Sequence, residues 1–236
     1  MWLKTKTMKI LFLIVTYFVS LLALNAQKTH TFTLSFLPIW KKERLVLDKN
    51  YVTENDTISI SKLKFYISNV EFFNENKSVF SEKNSFHLID IEKEKTLQIN
   101  LQIPDNVYFT HLKINIGIDS TTQISGAMGS DLDPTNGMYW TWQSGYINFK
   151  LEGKSARCKA RKNEFQFHIG GYASPFNSLQ TRLFLVKEKN NLELKFDVFE
   201  FLKNINLEKT HHIMSPSLEA VEIAKSSLNP SEGGTF

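Results

Sequence analysis

Cysteine is almost absent from this chain of 236 residues: Cys158 stands alone, so no intrachain disulfide can form. Stability must therefore come from packing, and the chain is long enough to bury a full core. Glycine and proline are sparse, at 10 and 6 residues, which excludes collagen-like and Pro/Gly-rich disordered architectures. Catalytic signatures are missing as well. There is no Gly-x-Ser-x-Gly elbow, no phosphate-cradling Gly-rich loop and no His-Glu-x-x-His. The acids are scattered without a paired arrangement suited to general acid–base work, so the chain reads as non-enzymatic. Only one long apolar run occurs, Ile10 to Leu22; it is short for a bilayer span and no second one follows.

That run belongs to an export signal. Lys4, Lys6 and Lys9 form a basic start, Ile10 to Leu22 is almost wholly apolar, and Ala23-Leu24-Asn25-Ala26 ends in small residues. The expectation is a signal peptide over residues 1–26, cleaved before Gln27, and one β domain over 27–236, periplasmic or extracellular, with no membrane span in the mature chain. Removing 26 residues that carry three lysines and no acid leaves 210 residues and a formal charge of +1 in place of +4. Most of the apparent basicity is thus a targeting signal, and a nucleic-acid partner is not expected.

What the mature chain has in abundance is period-two alternation. Phe32, Leu34 and Phe36 share one face while Thr31, Thr33 and Ser35 share the other, as in a half-buried strand. The pattern recurs over residues 57–60, 63–73, 78–80, 86–91, 97–101, 112–118, 146–151, 165–169, 182–186 and 192–198. Short strands separated by Asn, Asp, Gly and Ser clusters predict an all-β fold, an antiparallel β-sandwich with Greek-key-like connections, or a barrel. Helix is expected only near the C-terminus, where Ser215-Pro216 suits a helix start and Leu218, Val221, Ile223 and Ala224 give a weak apolar stripe. Residues 231–236 are expected to fray. The basic cluster Lys154, Arg157, Lys159, Arg161 and Lys162 reads as a solvated loop between strands, with an anion site as the alternative.

Turn formers and aromatics concentrate between Gly126 and Tyr146. This window holds two of the four tryptophans, Trp140 and Trp142, and two of the five methionines. Such turn chemistry builds shaped loops, where binding groups tend to sit; plain aromatic plugging of a β core is the alternative. Asp131-x-Asp133 with Asn136-Gly137 faintly resembles a calcium loop, but Trp142 stands where the bidentate Glu is needed, so turn chemistry is the better reading. Of six histidines, His168 is the most interesting. It lies on the strand face opposite Phe165, Phe167 and Ile169, with Gly170-Gly171 beside it to let backbone come close. An imidazole so placed can ligate copper or zinc, and an ordinary surface histidine is the alternative. His211-His212 with Met214 offers borderline and soft donors within four residues, though adjacent side chains need not converge. His87 and His111 read as ordinary strand positions.

Five blocks occur in a telling order: Leu63-Lys64-Phe65-Tyr66-Ile67-Ser68-Asn69-Val70; His87-Leu88-Ile89-Asp90; Ile116-Gly117-Ile118-Asp119-Ser120; Asp131 to Tyr146; and Phe167-His168-Ile169-Gly170-Gly171. In this order the chain resembles the MbnP-like copper-binding proteins, in the branch found in Bacteroidetes, over nearly the whole mature length. The resemblance implies an exported, non-catalytic protein that binds copper for acquisition or storage. In that family copper is held by histidines and by kynurenine, an oxidised tryptophan, and a dihaem enzyme of the cytochrome c peroxidase type performs the oxidation. Carried over to this chain, His168, Trp140 and Trp142 fall in matching segments, and no second histidine does. A rival reading from the residues is a secreted carbohydrate- or peptide-binding module in which Trp140, Trp142, Tyr139 and Tyr146 form an aromatic platform; an inert structural surface protein is a third.

Overall fold

The computed structural model describes residues 28–141 and 145–228. The expected signal peptide, Trp142 and the C-terminal residues 229–236 lie outside them. Fourteen strands are described: β1 (Thr29–Trp40), β2 (Glu43–Arg44), β3 (Tyr51–Val52), β4 (Thr57–Asn74), β5 (Lys77–Ser81), β6 (Phe86–Asp90), β7 (Gln98–Pro104), β8 (His111–Ile116), β9 (Tyr139–Trp140), β10 (Gly145–Ser155), β11 (Glu164–Gly170), β12 (Gln180–Leu185), β13 (Asn191–Asp197) and β14 (His212–Ile213). They form two sheets. The smaller runs β13-β1-β2 with β7 also on β1; the larger runs β12-β8-β4-β10-β11-β14, with β3, β5 and β6 on β4 and β9 on β10. Pairing is antiparallel except for β1 with β13 and β11 with β14.

The core lies between the sheets. β1 contributes Phe32, Leu34 and Phe36, and the larger sheet answers with residues such as Phe65, Phe149 and Phe167, all at most 3 % exposed. Phe149 stacks on Phe201 at 4.9 Å between ring centroids, in the offset geometry that aromatic rings prefer. Phe201 belongs to α2 (Val198–Lys203), one of two short α-helices among the described residues besides the expected C-terminal one. The other is α1 (Ser120–Ile124), capped by the Asp119 carboxylate, which accepts from the Thr122 N–H. The C-terminal helix α3 (Leu218–Ser227) is capped by the Ser217 hydroxyl and buries Ala220 and Ala224.

β4 is the spine of the larger sheet, and its inward face changes parity twice. Ile58 and Ile60 point into the core, then Leu63, Phe65 and Ile67, then Val70 and Phe72. Both changes coincide with breaks in register, one opposite Glu152–Gly153 on β10 and one between Ser68 and Glu71 against β8. At the second, Asn69 takes a left-handed conformation with φ 52°, as a bulge residue of this type tolerates. The outer face of the same sheet is covered by residues 117–141, which build a second apolar cluster on it from Tyr66, Leu88, Ile118, Leu132, Met138, Trp140, Tyr146 and Ile147.

Candidate functional site

Alternation along β10 and β11 sends Phe149, Leu151, Phe165, Phe167 and Ile169 inward and leaves Lys150, Glu152, Gln166 and His168 on the outer face. Cross-strand register then lines up a polar row from β6 to β11: Asp90 opposite Lys64, Lys64 opposite Lys150, Lys150 opposite His168. A second row runs Lys62, Glu152, Gln166, His212.

His168 is buried, at 6 % exposure, in contrast with the shallow placement its outward orientation suggests. Its surroundings on the outer face are covered: Lys150, opposite His168, donates to the Gly137 carbonyl of the covering loop, and Trp140 lies over Gly170. The His168 Nε2 lies 2.7 Å from the Glu152 carboxylate. An ionised carboxylate only accepts, so Nε2 carries the proton and Nδ1 is left with its lone pair. Burial pushes the imidazole below its ordinary value, against the opposing pull of Glu152, and the charges of Lys150 and His212 add to the depression. The hydrogen bond from His168 holds Glu152 below the usual carboxylate range. Burial likewise lowers the Lys150 ammonium, which donates to the Gly137 carbonyl of the covering loop.

That loop is fastened at several points. The Tyr66 hydroxyl donates to the Asp131 carbonyl at 3.0 Å, the Leu88 N–H donates to the Asp131 carboxylate at 2.8 Å, and the Met128 N–H donates to the Tyr146 hydroxyl at 2.9 Å. Asp133 accepts from the Thr135 N–H and hydroxyl. Both acids of the calcium-like segment are thus engaged in turn and anchor bonds.

Trp140 is 5 % exposed and lies over Gly170. A Cβ at position 170 would come within 2.6 Å of its ring, so only glycine admits the indole there. Gly170 and His168 are two residues apart on one strand face, about 7 Å along the chain. Trp140 and His168 therefore belong to one surface, although β9, which carries Trp140, pairs with β10 and not with β11. Past Trp140, a cavity of about 160 Å³ opens between this ring, Gly171, Tyr172, Phe176 and Pro216. Of the rings expected to form an aromatic platform, Trp140 and Tyr146 are buried and Tyr139 is partly so, while Trp142 lies outside the described residues.

Sequence reasoning missed Glu152, which carries no signal beyond a charged residue in a strand. His212 and Met214 were visible as donors but had no strand to place them; β14 holds His212, and Met214 follows the strand directly. Elsewhere in the basic loop, Arg157 and Lys159 share the Glu208 carboxylate, at 3.0 and 3.6 Å.

Among the described residues no three His, Cys, Asp or Glu side chains converge as a ready metal cage. Lys62, Lys64 and Lys150 share this face with Glu152 and Asp90, whose carboxylates pair with Lys62 at 3.7 Å and Lys64 at 3.0 Å. With these carboxylates engaged, the described residues offer no oxygen cage for a hard dication. A neutral imidazole with an aromatic neighbour suits a soft, low-charge ion better.

A two-layer β fold with a tryptophan-bearing loop packed over a histidine strand defines the class. Residues 29–215 match the MbnP family, and the chain belongs to it. The fold is shared with a solved structure, MbnP from Methylosinus trichosporium, which is 11 % identical in sequence and matches over 82 % of this chain and 87 % of that one, with a TM-score of 0.59. No curated protein matches the sequence.

Proposed function

We propose that this is an exported, non-catalytic protein that binds copper as cargo, for acquisition or storage, through the outer face of the larger sheet. Family membership supports the reading, and one observation carries it to particular residues: Trp140 lies over Gly170, two residues along the strand from a buried imidazole whose Nε2 is hydrogen-bonded to Glu152. His168 is the proposed ligand. Trp140 or Trp142 is its proposed aromatic neighbour and the proposed substrate of a dihaem peroxidase-type partner, with kynurenine as product. Glu152 fixes the tautomer, as carboxylates behind ligating histidines commonly do.

Titration of the purified protein with copper at neutral pH tests this. His168→Ala is expected to weaken binding at least about tenfold, or about 1.4 kcal/mol, with an unchanged circular dichroism spectrum. Equal affinities for the two proteins would remove His168 from the site. Mass spectrometry of the Trp140–Trp142 peptide from the native host tests the oxidation, and an unmodified peptide there would remove that part of the reading.

A further inference from the structure

A cavity of about 390 Å³ lies where α2 meets the β1–β2 and β3–β4 turns, and its volume falls in the range of small-molecule sites. It is remote from the Trp140 seat. Ile58, which lines it, pairs with Ser155 on β10, whereas Gly170 under Trp140 pairs with Ile147. The eight residues from 147 to 155 separate the two places by about 26 Å along the strand. The apolar part of the lining is Ile58 from the inward row of β4, then Phe199 and Leu202 from α2, then Ile205 and Leu207. Hydrogen bonds fix the turns around it. The Lys41 N–H donates at 2.9 Å to the Asp197 carboxylate, which also caps α2, so the β1–β2 turn is tied to the helix start. On the β3–β4 turn, Asp56 accepts from the Ser155 hydroxyl at 2.5 Å and from the Arg157 N–H at 3.3 Å.

Five charged residues line this cavity, and three are already satisfied: Asp56 by the bonds above, Arg157 by Glu208 and Lys203 by Glu200. Lys41 differs. Its ammonium lies 4.3 Å from the centroid of the Phe199 ring, over the apolar lining, and no carboxylate among the described residues pairs with it. Its backbone is left-handed, with φ 58°, at a turn position where glycine is the unstrained choice. Turn geometry alone therefore does not ask for a lysine there. Arg157 turns Nε and Nη2 to Glu208 and keeps Nη1 as a further donor. We propose that this cavity binds an amphipathic monocarboxylate, with its apolar chain against Phe199 and Leu202 and its carboxylate on the Lys41 ammonium. Glu54, exposed on the β3–β4 turn, is the one acid of the lining without a partner among the described residues. It repels a second negative charge, so a dicarboxylate is disfavoured. The site is separate from the copper face and does not depend on the copper reading.

The test is calorimetric titration of the purified protein, in metal-free buffer, with octanoate, octanedioate and octylammonium. Octanoate is expected to bind, and the other two at least about tenfold more weakly. Lys41→Gly removes the ammonium and suits the left-handed turn, so its melting temperature is expected to equal or exceed that of wild type. This variant should lose octanoate affinity at least about tenfold. Glu54→Gln should bind octanedioate more tightly than wild type does, a gain that a damaged fold cannot produce. The proposal is overturned if wild type binds no octanoate, if Lys41→Gly binds it as well as wild type, or if octylammonium binds equally. A Glu54→Gln protein that rejects octanedioate as strongly as wild type overturns the role given to Glu54.

Discussion

Gly170 has the sharpest single-residue consequence on the candidate face. A methyl group at that position would stand 2.6 Å from Cζ3 of Trp140 and 2.8 Å from the Tyr146 carbonyl oxygen, and the carbonyl belongs to β10 backbone, which cannot yield cheaply. Gly170→Ala should therefore push the indole out of its seat and cost about 1–3 kcal/mol, the range for overpacking a tight site. Tryptophan fluorescence shifted to the red and a lowered melting temperature are the expected readings; an unchanged spectrum would mean Trp140 does not rest there. His168 gives a pH signature. Its folded value lies below its unfolded one, so as pH falls through about 6.5 the unfolded state takes up a proton first. Stability is full above that point and declines toward the depressed folded value. Glu152→Gln removes a partner that raises the imidazole pKa, so this decline should extend to lower pH than in wild type, as chemical denaturation at several pH values would report.

At the scale of elements, β4 explains both what could be read in advance and what could not. Its two stretches, 57–60 and 63–73, showed as separate alternating segments because the inward parity changes between Ile60 and Leu63. The second change, at Asn69, was invisible: Phe72 and Phe73 are both apolar, so alternation runs on smoothly across the bulge whichever ring turns inward. Register data settle it, since Phe72 is fully buried and Phe73 only partly. The positive φ of Asn69 suits asparagine and glycine and opposes β-branched residues. Asn69→Gly should be close to neutral, while Asn69→Val should cost about 1–2 kcal/mol, measured by urea unfolding; equal losses would argue against the bulge. The site was legible in the same partial way. His168 declared itself by facing away from three core residues, and the tryptophan loop by its turn chemistry. His212 and Met214 were noted as donors but could not be placed, because a strand of two residues leaves no period to count, and its partner β11 is distant in sequence. α1 and α2, of five and six residues, were missed for a related reason, being too short to show helical periodicity.

At the scale of the whole molecule, the division of labour between the two faces of the larger sheet decides how metal binding should couple to stability. The inner face belongs to an apolar core that needs no ligand, with Phe65, Phe149 and Phe167 at 1 % exposure or less. The outer face carries the histidine and the loop over it, so the fold should stand without copper and gain from it. A ligand that binds the folded chain alone adds about 2.7 kcal/mol at a hundredfold excess over its dissociation constant. Copper should accordingly raise the melting temperature of wild type and leave His168→Ala unmoved. The pH dependence has a definite sign. Protons compete with copper for the imidazole only near and below its folded pKa, and burial has moved that value down. The copper-induced shift in melting temperature should therefore persist below pH 6.5 and vanish only in stronger acid. A shift that is lost already at the ordinary histidine value would mean that the metal sits on an exposed imidazole such as His212 without engaging His168.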